Sequence, residues 1–336
     1  MISIIEESKA DDCWNDRMLK SGLGTIYQSK ERADFLLKVN QKSLFLKFIN
    51  EEKNIVGQLL VHLSPRFTNK GIKGKIFDKI PNVKKNKCNW AYGPIILSEK
   101  YNDEIFLALK KFFDSKKLAV DGWTHPMIKQ YPNRLKNDFS IINWSTFTIN
   151  LERDENEIFN NISKHSGRKN IERSKKRGVK IEEIDEDSLI EYFRLKNTTK
   201  LESGQEKTDF EPMMQRWKKF RNLGYSGFLA RHEGNPIGGL LFSYVNKYIL
   251  EIGVARSKFD TSNNLYSQDL IKWSIIEWGI KNKMKFYDLT GFNPNPTSEK
   301  EKGIARYKEK WGGERKDYIR ILEKSPKTIG GQFGRK

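Results

Sequence analysis

The sequence predicts an α+β fold built twice, each copy a mixed, mostly antiparallel sheet flanked by helices. Three observations carry that prediction. Two hairpins share a local pattern, "NIVGQLL" at 54–60 and "NPIGGLL" at 235–241. Two helix-to-strand steps match as well, "LAVDGW" against "KFYDLTG", which sets Asp121 opposite Asp288. Both matches fall in the same order at similar offsets, as an internal duplication requires. Helices before an antiparallel meander, followed by helix and strand, make an α+β unit.

The first half opens with a helix near 11–20 and another near 30–39. Strands follow at 43–49 and 55–63, joined by the turn-forming "NEEKN". After a basic loop come "NWAYGPIIL", a helix at 102–114 and the strand "LAVDGW". That helix puts Ile105, Leu109 and Phe112 or Phe113 on one face. A helix near 126–136 and the strand "SIINWSTFTINL" close the half. The second half repeats the order, with helices near 187–202 and 209–222 and strands at 226–232 and 236–244. A third strand, "KYILEIGVA", leads to a long helix at 264–282 and then to "KFYDLTG". Duplication predicts one sheet per half, with residues 1–150 forming the first domain and 151–315 the second.

A chain of 336 residues suits two domains, and 37% hydrophobic residues suffice for their cores. No apolar run is long enough for a membrane span, and the first residues do not read as a signal peptide. Cys13 and Cys88 alone make neither a disulfide framework nor a zinc site. A cytoplasmic monomer is expected. The balance of 62 Lys+Arg against 43 Asp+Glu gives +19, which favours an anionic partner such as nucleic acid, phosphate or an acidic membrane surface. Two stretches concentrate that charge, 66–87 and 164–180; the second carries Arg168, Lys169, Arg173, Lys175, Lys176 and Arg177. Those six are the candidates for RNA backbone contacts, and a solvated charge run is the plain alternative.

The segment "YDLTGFNPNPTSEKEKGIARYKEKWGGE", residues 287–314, joins a buried strand end to a basic helix through a polar loop. Asp288 ends the strand, where an acid is expensive unless paired or working. It would orient an amine or a ribose hydroxyl, or else cap the loop. Gly291 permits a tight exit and close backbone approach. Arg306 is a phosphate-binding candidate or a surface ion pair. Tyr307 and Trp311, four apart, are core contacts or base-stacking platforms. The four histidines show neither a nucleophile pairing nor a metal spacing.

Together "WNDRMLKSGLGTIYQS", "NISKHSGRKNIERSKKRGVKIEE" and "YDLTGFNPNP…GIARYKEKWGGE" resemble the Fem family, aminoacyl-tRNA-dependent transferases that build peptidoglycan cross-bridges. The resemblance implies a tandem pair of acetyltransferase-like (GNAT) domains, with the final strand at 316–324 returning to the first. It implies transfer of an amino acid from tRNA to an amine of a peptide, sugar-linked, lipid-linked or nucleotide-linked cell-wall precursor, without a cofactor and with at most peripheral contact to the membrane. Lys308 aligns with the lysine of the family's aromatic-Lys motif, a cation able to face the tRNA 3′ end or the developing oxyanion. Tyr266, in the link before the long helix, and Lys207 join Arg306, Tyr307 and Gly291 as substrate-binding candidates. Lys207 stands in "LESGQEK", where the family often has Arg-His-Gly. Near the "QS" of the first helices, "QSKERADFL" offers Arg32 but no evident precursor-binding base.

An acyl-CoA-dependent N-acyltransferase is the second reading, and a non-enzymatic RNA-binding scaffold the third. Acyl-CoA enzymes of this fold hold pyrophosphate on a Gly-rich loop at a helix N-terminus. Here the link reads "GVARSKFDTSNNLYSQDL", without a glycine between Ala255 and Leu270.

Overall fold

In the computed structural model, the described residues are 1–65, 86–128, 131–132, 135–202 and 204–324. Most of the basic stretch 66–87 lies outside them. The first half holds β1 (Ser3–Glu7), α1 (Trp14–Lys20), α2 (Lys30–Lys38), β2 (Lys42–Ile49), β3 (Ile55–Pro65), β4 (Asn86–Trp90), β5 (Ile95–Ile96), α3 (Asn102–Ser115), β6 (Leu118–Trp123), α4 (Leu135–Asp138) and β7 (Ser140–Asn150). Local chemistry sets several boundaries. The Ser29 side chain accepts the Arg32 amide and starts α2, while Ile105, Leu109 and Phe113 form the buried stripe of α3.

The second half begins with α5 (Glu155–Asn161), a π-helical turn at Lys164–Arg168, α6 (Lys169–Lys176) and β8 (Lys180–Glu183). It continues with α7 (Glu186–Glu202), α8 (Phe210–Gly224), β9 (Tyr225–His232), β10 (Asn235–Val245) and β11 (Tyr248–Arg256). Then come a short α9 (Lys258–Ser262), α10 (Ser267–Lys281), β12 (Phe286–Asp288), α11 (Glu299–Glu309) and β13 (Glu314–Leu322). The helix expected over 126–136 is, among the described residues, only the short α4; Thr124 and His125 leave β6 as irregular chain instead.

The strands do not form two separate sheets. They run continuously in the order β1-β2-β3-β4-β6-β13-β7-β12-β11-β10-β9-β8, with β5 beside β3. The physical reason is strand sharing. β7 pairs with β12 on one side and with β13 on the other, and β13 also pairs with β6. Separate sheets therefore fail as a mark of duplication. The mark that remains is the pairing order: each wing is an antiparallel meander ending in one parallel step, β4 on β6 and β11 on β12. The returning strand lies between a first-half strand and β7, so its hydrogen bonds are made with residues far back in the chain.

Among the described residues four apolar clusters hold the fold, the smallest being Trp14, Ala33, Phe45 and Leu60. One gathers Trp90, Phe106, Leu109 and Phe113 under α3; another gathers Ile249, Ile271, Ile275, Tyr287 and Trp311 under α10. The third joins Met18, Ile26 and Phe35 of the first half to Tyr192, Trp217 and Phe220 of the second. Burial of such side chains stabilises by roughly 1.5–3 kcal/mol each, so the third cluster fixes α1 and α2 against α7 and α8. Among the described residues no helix is long and apolar enough to cross a membrane.

Candidate active site at the end of β12

β12 runs parallel to β11 for three pairs, from Tyr248↔Phe286 to Leu250↔Asp288, and then leaves it. Asp288 ends the strand fully buried. The Tyr248 hydroxyl donates to its Oδ2 at 2.6 Å. The Thr146 hydroxyl and the Thr290 amide donate to Oδ1 at 2.5 and 2.7 Å. Burial raises the Asp288 pKa, against the pull of those hydrogen bonds and of the Lys308 charge. Both oxygens are thus engaged by protein donors, and the carboxylate caps the turn through Thr290.

Thr290, not Gly291, takes the left-handed conformation at this exit, with φ 61°. Glycine is required next to it for space: a Cβ at 291 would overlap Trp144 Nε1 and the Tyr318 hydroxyl. The chain then crosses to α11, whose first turn is a capping box. Ser298 accepts the Glu301 amide, and Glu301 reaches back to the Ser298 amide. That start aims the helix so that Lys308 returns to the strand end. Its Nζ donates to Thr290 O at 2.7 Å, Gly291 O at 3.0 Å and Thr290 Oγ1 at 3.3 Å. Burial lowers the Lys308 pKa to about 8, with Glu251 and Asp288 opposing and Lys272 adding to the shift.

A second layer of buried charge lies beside Lys308. Lys272 Nζ donates to Glu251 Oε1, and the Tyr287 hydroxyl donates to the same oxygen at 2.6 Å. Lys310 Nζ meets Asp269 Oδ1 at 2.5 Å and Ser166 O at 3.0 Å, while Asn170 donates to Asp269 Oδ2 at 2.8 Å. The basic segment of α6 is thereby fastened to α10 and α11. Sequence reasoning missed Lys310, Lys272 and Glu251, because single charged residues in helices and strands ordinarily read as solvated.

The N-terminus of α10 is where this fold would hold a pyrophosphate. Here Asp260, fully buried, takes the Ser267 amide on Oδ1 at 2.9 Å and Arg256 Nε on Oδ2. An internal carboxylate fills the place of the anion.

The remaining candidates divide. Tyr307 lies half-buried in α11, its ring 4.2 Å from Lys310 Nζ and 5.8 Å from Lys272 Nζ. Trp311 is core, fully buried. Tyr266 precedes α10 in the left-handed conformation, with the Arg177 guanidinium 5.7 Å over its ring. Arg177 also donates to Asn263 O at 3.2 Å, and Arg168 to Asn160 Oδ1 at 3.0 Å. Lys175 stands 3.9 Å from Glu277, and Lys169 is half-buried. Arg173 and Lys176 face solvent. Arg306 also faces solvent, 68% exposed and 3.9 Å from Glu299, so it does not join Lys308. Lys207 is exposed in the loop between α7 and α8 and bonds to nothing among the described residues. Among those residues there is also no cluster of His, Cys, Asp and Glu able to hold a metal.

One further basic cluster lies at the first helices. Arg32 lies 5.6 Å over the Tyr27 ring and 5.8 Å over Phe35, and Arg216 of α8 lies 5.2 Å over Phe35. Both Nε atoms are buried without a hydrogen-bond partner. Burial lowers the Arg32 pKa to about 10, with Arg216 adding to it. Lys196 of α7 is likewise lowered to about 8 by burial, then by Arg216 and Lys200. Among the described residues no acid pairs with Arg32, Arg216 or Lys196. Arg32 comes from a helix far in sequence from α7 and α8, which carry Lys196 and Arg216, so no local pattern could announce the cluster.

No family model and no curated protein matches the sequence. Solved structures do match its fold. FemX aligns at TM-score 0.66 and 12% identity, over 95% of this chain and 97% of that one. L-PGS from Bacillus licheniformis aligns at TM-score 0.55 and 11% identity, over 96% and 94%. A tandem GNAT protein from the clavulanic acid biosynthesis pathway aligns at TM-score 0.53 and 9% identity, over 96% and 97%. Across nearly its whole length, the chain has the tandem acetyltransferase-like fold of FemX.

Proposed function

We propose that the protein is an aminoacyltransferase that moves an aminoacyl group from charged tRNA to an amine of an anionic cell-envelope precursor. The observation that carries the reading is the Lys308 ammonium, returned by α11 to the point where β11 and β12 part. In aminolysis the amine nitrogen bonds to the ester carbonyl carbon and an oxyanion forms. The C–O bond to the ribose then breaks, and the proton released by the amine ends on the ribose hydroxyl. A fixed cation at the oxyanion stabilises that transition state and is worth about 10²–10³-fold in rate. Asp288 acts as a positioning residue: it fixes Thr290, whose carbonyl holds Lys308.

The donor assignment is supported by Asp260, whose carboxylate already takes the Ser267 amide at the start of α10, and by the exposed cations Arg173, Lys175 and Lys176 of α6. An anionic, nucleotide- or lipid-linked acceptor is supported by Arg32, Arg216 and Lys196, which lack a counter-charge. FemX and L-PGS share the fold, and that likeness agrees with an acyl-transfer role. Mass spectrometry of products from mixed charged tRNAs and candidate amine acceptors tests the reading. An aminoacylated acceptor is expected. Acylation from acetyl-CoA, with none from charged tRNA, would overturn it.

A further inference from the structure

A cavity of about 750 Å³ lies between the two halves, apart from the charged cluster around Lys308. Leu19, Leu23, Ile96, Met127 and Phe286 give it an apolar lining. Leu19 is 44% exposed although it faces a concavity. The volume is that of a site for a small organic ligand. Its wall is built rather than accidental. The β10–β11 turn, Asn246 and Lys247, has two consecutive left-handed residues, and Asn246 Nδ2 donates to Met18 O at 3.0 Å and Gly24 O at 3.2 Å. Lys247 O in turn accepts the Lys285 and Phe286 amides. One turn of the second half is thus pinned to the α1 end of the first, with the cavity beside the join.

Charge decides what such a cavity would take. Lys20, Lys247 and Lys285 line it against a single acid, Glu99. Lys285 stands 3.6 Å from Glu152, whereas Lys20 and Lys247 form no ion pair among the described residues. An apolar chamber with unpaired ammonium groups suits a molecule that is apolar at one end and anionic at the other. We infer that this inter-half cavity binds a lipid-like amphiphile with an anionic head, its tail among the leucines and its head at Lys20, Lys247 and Lys285.

Occupancy would be felt at the candidate active site. Tyr248 lines the cavity, and its hydroxyl is held by Asp288. Asp288 holds the Thr290 amide, and Thr290 O holds Lys308. Three consecutive hydrogen bonds therefore connect the chamber wall to the lysine. The binding inference stands on the cavity alone and is independent of the donor and acceptor proposed above.

Titration calorimetry of the full chain with dodecyl phosphate below its micelle concentration tests it, with inorganic phosphate and dodecanol as companion probes. Saturable binding is expected for dodecyl phosphate only. Leu23→Trp, which fills the chamber, should abolish it; Lys247→Glu with Lys285→Glu should weaken it about tenfold or more, the equivalent of about 1.4 kcal/mol. Should Leu23→Trp fail to fold, Met127→Trp replaces it. Equal binding by wild type and the filled variants would overturn the inference. So would saturation by inorganic phosphate alone, or probe-induced self-association by light scattering without a saturable site.

Discussion

Asp121 and Asp288 occupy matching places in the parallel strands β6 and β12, Asp121 two residues before its strand ends and Asp288 at the end of its own, yet their surroundings are opposite. Asp121 is met by cations: Arg320 grips it with two bonds of 2.7 and 2.8 Å, and Lys87 approaches to 2.5 Å. Burial works to raise its pKa, but the Arg320 and Lys87 hydrogen bonds outweigh that and leave it lowered. Asp288 has only neutral donors in hydrogen-bond contact, and burial raises it. The first strand end is closed by an ion pair with the returning strand. In the second, the acid spends its bonds on a turn, and the nearby lysine is left for carbonyl oxygens. One fold used twice has closed the first strand with an ion pair and set a lysine among carbonyl oxygens at the second.

The largest expected effect separates the two lysines at these ends. Lys308→Ala should lower single-turnover aminoacyl transfer by about 10²–10³-fold, while Lys87→Ala should leave the rate within a few-fold. Equal losses would erase the distinction. Next are the acids themselves. Asp288→Ala orphans the Tyr248 hydroxyl and the Thr290 amide and should cost about 3 kcal/mol in denaturant unfolding. Asp121→Ala frees two partly exposed cations to reach water and should cost about 1 kcal/mol.

Their acid responses should also differ in sign. A lowered carboxyl pKa adds stability above the unfolded value of 3.8 that is lost as pH falls through the folded pKa. A raised one costs stability as pH rises from 3.8 through the folded pKa. The penalty of Asp121→Asn should therefore shrink in acid, and that of Asp288→Asn should grow. Urea titrations at pH 3 and pH 7 read the difference. Gly291→Ala should cost about 1–3 kcal/mol, since Trp144 and Tyr318 occupy the space of its Cβ.

Much of this comparison was legible in the sequence. The matched steps placed Asp121 opposite Asp288, and the segment 287–314 announced a strand end, a loop and a basic helix. The capping box of Ser298 and Glu301 at the start of α11 is likewise local, although the sequence reading did not use it. What could not be read was pairing between distant strands. Nothing local says that β7 and β13 are shared, so the expected pair of sheets became one. Nor does local pattern show that Asp288 receives hydroxyls from β7 and β11, or that Arg32, Arg216 and Lys196 converge from three helices. Gly291 was recognised as necessary, but the need came from two aromatic side chains rather than from its own backbone angles.

A further effect concerns the lysine's own contribution to stability. A lysine whose folded pKa is about 8 and whose ordinary value is 10.5 binds fewer protons folded than unfolded between those values. Stability should rise with pH across that window, and Lys308→Met should remove that part of the slope. A slope unchanged by the substitution would mean that Lys308 is solvated and only loosely held.

The central claim is that the Lys308 cation, held at the end of β12, acts on the transferring ester. Single-turnover transfer from charged tRNA, measured from pH 6 to 10 as the ratio of wild type to Lys308→Arg, tests it most directly. The ratio should fall as pH rises past about 8, where wild type loses the charge and arginine keeps it. A ratio that stays flat across the range would contradict the claim and leave Lys308 as a structural tie between α11 and Thr290.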